Sequence, residues 1–214
     1  MTAMPAPPVA VERRLAARAP GAVTAGWFAG AAAVAVLWTS QGLGLLLTGL
    51  PLTGPEPLSA LGADARSAAL FGSGLIAGAA LLAAFAIAVH RRFRTGPAFL
   101  ASFLFGLAGQ VIAAIVPING PGVDHAVHTV AGLVLGASLP ILMWRFAAAQ
   151  PPGAWRRACY RLFWLEAAAC VVGIGLSRAM KAPIAEVIPA AAFHLWIFVV
   201  TFGGYRTRGL YLMR

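Results

Sequence analysis

Six long apolar runs alternate with short stretches that hold nearly all of the charge. The runs are about Ala22–Gly49, Ser67–His90, Pro97–Ile118, Asp124–Phe146, Tyr160–Ser177 and Ile184–Gly204. A helix needs roughly 20 apolar residues to cross the hydrocarbon core of a bilayer. In lipid every backbone N–H and C=O must find a partner inside the segment, so these runs predict helices rather than open strands. The pattern gives a cytoplasmic tail over 1–21, a six-helix transmembrane domain over 22–204 and a short basic tail over 205–214. The first run follows basic residues as a signal peptide would, but it is far too long for a signal core and is expected to stay as a span.

Composition fixes the class. Of 214 residues, 60% are apolar and 10% charged, and the mean hydropathy is +0.83. Soluble domains carry about a quarter charged residues. The chain is therefore expected to be an all-α integral membrane protein. Its net charge of +10 points to topology, not nucleic acid, because the cations sort by loop. Arg13, Arg14 and Arg18 precede span one, and Arg91, Arg92 and Arg94 separate spans two and three. Arg145, Arg156, Arg157 and Arg161 separate four and five, and Arg206, Arg208 and Arg214 follow six. The other side has only Arg66, Arg178 and Lys181, beside Glu56, Asp64, Asp124 and Glu186. Both termini are thus expected in the cytoplasm. Cys159 and Cys170 are eleven positions apart on one span, roughly 16 Å if helical, too far to bridge.

The uncharged polar residues carry the functional question. The outer loops are "PLTGPEPLSALGADAR", with a short helical turn expected around "PLSALGADA", then "VPINGPGVDHAVHTVAG", then the tight, cationic "RAMKAP". In the second, Asp124 is expected to cap span four. Gln41, Ser73, Gln110, His128 and His194 fall at similar depth, roughly 5–15 Å below the outer surface at 1.5 Å per residue. Polar groups at such depth either bond across helices or line a wet cavity. The second reading gives an outer-half pocket with Asn119, Asp124 and His125 at its mouth.

Apolar walls with a few polar groups suit a lipid or isoprenoid-type ligand. Any chemistry on it would be acid–base chemistry by His128 or His125, with Asp124 orienting the ring. Without HExxH or a cysteine cluster, no metal is expected, and no cofactor motif is present. The alternatives are a non-catalytic subunit of a larger membrane complex, with membrane-protein partners, and a small transporter or channel. Glu166, the one acid deep in a span, is expected to pair with Arg161 or Arg157.

Three stretches carry a family resemblance. "PLSALGA" followed by "LFGSGLIAGAALLAAFA" resembles a bacterial six-span family known as domain of unknown function 998, with its Ser-x-Leu-Gly element and Gly-punctuated second span. "VPINGPGVDHAVHTVAG" resembles that family's second outer loop, where Pro-x-Asp precedes a histidine at the start of span four. The matching positions are Ser59, Leu61, Gly62, Pro117 and His125 or His128; Asn119 stands where the family has an acid, with Asp124 as the substitute. The resemblance implies six spans in a bacterial cytoplasmic membrane and brings no settled activity. The architecture is similar to that of the DRAM/Sfk-like group, which is associated with lipid organisation or remodelling.

Overall fold

The computed structural model describes residues 20–119 and 122–206, with side chains over 26–119 and 122–203. The helices are α1 (Pro20–Thr48), α2 (Ala68–Phe93), α3 (Pro97–Ile115), α4 (Val123–Ala148), α5 (Ala154–Met180) and α6 (Ile184–Arg206). A short 3-10 helix, Leu58–Gly62, sits in the first loop, where a helical turn was expected. All six long helices are long and apolar enough to cross a membrane. Most of the predicted N-terminal tail and most of the C-terminal tail lie outside the described residues, and the helices reach past both predicted limits, to Pro20 and Arg206.

The ends follow from local chemistry. α3 starts at Pro97, whose fixed φ and missing N–H suit the first helical position. It stops at Ile115 rather than at the expected Ile118, because Pro117 has no N–H to continue the ladder and biases Val116 to extended backbone. α2 ends on Arg94 in the left-handed region (φ 50), after His90, Arg91 and Arg92 in its last turn, where cations complement the helix dipole. α5 differs most from expectation. It begins at Ala154, six residues before the predicted Tyr160, and ends at Met180. Its first turns carry Arg156, Arg157 and Arg161, which interrupt the apolar run but are good helix formers.

Each helix packs against the next in sequence, and α6 returns to α1, so the bundle is a closed ring. Trp27 of α1 seals the closure by donating its indole N–H to the Thr201 carbonyl at 2.8 Å. The middle is filled by rings: Trp196 of α6 lies 5.4 to 6.5 Å, centroid to centroid, from Phe85, Phe103, Phe146 and Phe193. Small residues set the close approaches. Gly74 takes Ser40 against it and Gly106 takes Ser138, each serine bonding back to its own helix. One end of the ring holds the 3-10 helix with the α3–α4 and α5–α6 turns, and the other holds the arginine-rich turns.

Candidate functional site

The α3–α4 turn is built around two carbonyls. Pro117 ends α3 and leaves Val116 and Ile118 without helical donors. His128 donates Nδ1–H to the Val116 carbonyl at 2.6 Å, and His125 donates Nδ1–H to the Ile118 carbonyl at 2.8 Å. Each ring is held by backbone through Nδ1, which sets its orientation and leaves Nε2 without a partner among the described residues. His128 is buried, whereas His125, Asp124 and Asn119 are exposed.

Asp124 neither caps α4 nor holds a histidine. The cap position is Gly122 (φ 56), and no side chain bonds the free N–H groups there. Asp124 is the second helical residue, so its carboxylate meets the helix dipole but sits past the cap. The expected ring-orienting carboxylate is replaced by the two carbonyls.

The polar layer does not converge on one cavity. Gln110 is buried and donates Nε2–H to the Leu75 carbonyl at 2.8 Å, a tie from α3 to α2. Ser73 is exposed and bonds back to Leu70. Gln41 is half-buried. His194 is buried edge-on to Trp38 at 5.7 Å, with Nδ1 unpartnered. Direction around each helix was not legible in the sequence.

Two cavities flank this region. A groove of about 350 Å³ runs between α3 and α4, lined by Phe105, Ala108, Gly109 and Ile112 on one side and Ala126, Val127, Val130, Ala131 and Val134 on the other. It starts one residue after His125, and every lining residue is apolar or glycine. A second cavity of about 340 Å³ lies under the first loop, among Thr48, Pro51, Glu56, Leu61, Asp64 and Arg66. There Arg66 grips Asp64 through Nη2 at 2.8 Å and Nε at 3.1 Å, and its Nη2 also reaches the Thr48 carbonyl. The Arg66 hydrogen bond holds the Asp64 carboxyl at about 2, below its ordinary 3.8. A depressed carboxylate stabilises the fold above its unfolded value and loses that contribution as pH falls through the folded one. The clamp is therefore expected to open between about pH 4 and 2, and Arg66→Ala should raise the Asp64 carbon-13 titration midpoint part of the way toward 3.8, because the backbone N–H of residue 66 still bonds Oδ1 at 2.8 Å.

The sequence pointed to Ser59 but not to its partner. Ser59 donates its backbone N–H to Glu186 Oε2 at 3.1 Å and its hydroxyl to Oε1 at 3.3 Å, fastening the 3-10 helix to the start of α6. Ile184 N–H donates to the Leu52 carbonyl in the same place. Glu186→Ala leaves the Ser59 N–H bare and is expected to cost about 2 kcal/mol, the scale of a buried donor left without a partner. Thermal unfolding in detergent measures it, and Ser59→Ala should cost less because the backbone bond survives.

Glu166 is wholly buried and has no arginine partner among the described residues, contrary to the expected pairing with Arg161 or Arg157. Arg161 is five residues away, about 140° around the helix, and is exposed. Cys170 Sγ, one turn along at 3.3 Å, is its neighbour instead. No cluster of three or more possible metal ligands occurs among the described residues.

Comparison with curated proteins and with solved structures finds no match. The family model described as "Protein of unknown function (DUF998)" matches residues 55–203, from just before the 3-10 helix through most of α6. The matched segment holds Ser59 and Glu186, both histidines of the α3–α4 turn, the groove and Glu166, and with them the chain belongs to the DUF998 family.

Proposed function

We propose that this chain is a multi-pass protein of the bacterial cytoplasmic membrane, with both termini cytoplasmic, that binds a lipid or isoprenoid-type amphiphile. The hydrocarbon tail lies in the α3–α4 groove and the polar head meets Asn119, Asp124 and His125. The observation that carries this reading is the junction at Ala126, where a wholly apolar groove open to the side meets an exposed polar trio. Its open wall supports a ligand arriving from the bilayer: Phe105 is 65% exposed and Val130 58%. Lipid tails are as apolar as the groove, so the tail gains shape fit and little transfer energy. Selection among amphiphiles falls to the head site. His125 presents its free Nε2 there as the group able to exchange a proton with a bound head, and His128 holds the turn behind it.

The test is native mass spectrometry of the full chain released from membranes, with wild type and Ala126→Phe compared. Wild type is expected to carry a stoichiometric amphiphile, and the phenyl ring should fill the groove and remove most of it. Undiminished amphiphile on a folded Ala126→Phe protein would refute the groove. A subunit role is the second reading, and one observation favours it. Gly132 and Gly136, four apart on α4, would meet nothing within 4 Å if given a Cβ. Such a bare small-residue stripe lets another membrane helix approach closely, and a protein partner in the same spectra would support it.

A further inference from the structure

Two of the six helices carry an interior proline, Pro140 in α4 and Pro189 in α6. Proline has no N–H to give, so the carbonyl four residues earlier loses its helical partner. These carbonyls belong to Gly136 and Ala185. Both face α5. The Gly136 oxygen lies 4.0 Å from Cys170 Sγ, and the Ala185 oxygen abuts Gly173, where a Cβ would come within 2.5 Å of it. α5 therefore runs between two interrupted helices. Gly173, Cys170 and Glu166 are three and four residues apart and share the face between them.

Glu166 is the deepest of the three. It is twelve residues from the first residue of α5 and fourteen from the last, roughly 18 and 21 Å along the axis. Oε1 lies 3.3 Å from Cys170 Sγ, and Oε2 is buried with no partner. The one ion pair among the described residues is Asp64–Arg66, far from here. The described titratable groups on the neighbouring helices are Asp124, His125, His128 and Arg145 on α4 and Glu186 and His194 on α6. None of them bonds to Glu166.

We propose that Glu166 is an intramembrane proton-binding site, with Cys170 and the Gly136 carbonyl as the hydrogen-bond chain that holds it loaded. The acid donates Oε1–H to Cys170 Sγ, and the thiol donates S–H to the Gly136 carbonyl. One chain of hydrogen bonds then uses each proton and occupies the carbonyl that Pro140 frees. When a water reaching the site takes the acid's proton, the thiol turns to the carboxylate. The Gly136 carbonyl is then left bare beside a charge without a counter-ion, in a medium where an uncompensated charge is costly. The geometry thus favours the proton-loaded state and gives its release a defined local rearrangement. The inference stands apart from the amphiphile reading, since the α3–α4 groove does not include Glu166.

Infrared difference spectra of the full chain in phosphatidylcholine vesicles at neutral pH test it. Wild type minus Glu166→Gln is expected to show the C=O band of a protonated carboxyl. The same band should shift in Cys170→Ala, where the hydrogen-bond chain loses its middle member. Carboxylate bands in place of the C=O band overturn the proposal. So does a C=O band that sodium chloride abolishes at constant pH, which would mark a sodium site. If Glu166→Gln does not fold, Cys170→Ala minus wild type decides alone: a shifted C=O band supports the protonated Glu166 bonded to Cys170, and the lack of one overturns it.

Discussion

Trp196→Ala is expected to lower stability by about 3–5 kcal/mol, the range for truncating a large buried aromatic. Trp196 is 0% exposed and stands where rings from four helices meet: Phe85 of α2, Phe103 of α3, Phe146 of α4 and its own α6 neighbour Phe193. The usual water-transfer term is weak in lipid, so the loss comes from the void and its forfeited dispersion contacts. Removal of the buried indole N–H, which has no partner among the described residues, offsets part of that loss. Trp164 is the control. It is 67% exposed, toward lipid, and Trp164→Ala should change stability by less than about 0.5 kcal/mol. Unfolding in mixed micelles with a graded fraction of denaturing detergent measures both, and equal losses would mean that the aromatic centre is not the keystone.

The second large effect is Gly109→Val, expected to cost about 3 kcal/mol, the upper end for overpacking. A Cβ at Gly109 would stand 2.6 Å from the Ala131 carbonyl and 3.1 Å from the Leu135 nitrogen. Both obstacles are backbone, so no side-chain rotation relieves them. α3 must move away from α4, which widens the groove and strains the His128 tie to Val116 across the same turn. The contrast is Gly132→Ala on the bare face of α4. It meets nothing, and alanine's better helix propensity should leave stability unchanged or up to about 1 kcal/mol higher. The pair is compared by thermal unfolding, and a Gly109→Val protein as stable as wild type would show that the two helices have room to part.

Most of the fold could be read from hydropathy, because a span must be long and apolar whatever it packs against. The ends were harder where charge enters a helix. The arginines of α5 look like a loop in a hydropathy profile, yet Arg156 and Arg157 lie in its first turn. The direction of the polar residues was obscure in the sequence. A soluble helix shows its inward face by a polar stripe opposite, but here the outward face meets lipid and is apolar too. Ser73 and Gln110 therefore look alike in sequence, and only packing shows that one faces out and the other bonds across to α2. The Ser59–Glu186 tie spans 127 positions and leaves no local mark. Pro140 did leave one: a proline within an apolar run frees a carbonyl four residues back, and Cys170 meets it from the next helix.

The closure of α6 on α1 has a consequence for how the molecule comes into being. A ribosome delivers α1 first and α6 last, yet these two are neighbours. While α2 to α5 enter the bilayer, the indole N–H of Trp27 has no Thr201 carbonyl to meet. The Gly30 face that receives Ile197 stays open until the same moment. Every intermediate is thus an arc with two raw edges, and only the arrival of the last helix turns it into a wall without ends. Synthesis halted after α5 would leave that wall breached at the seam, with the Trp196 plug missing as well, so the arrival of α6 and the sealing of the interior are one event.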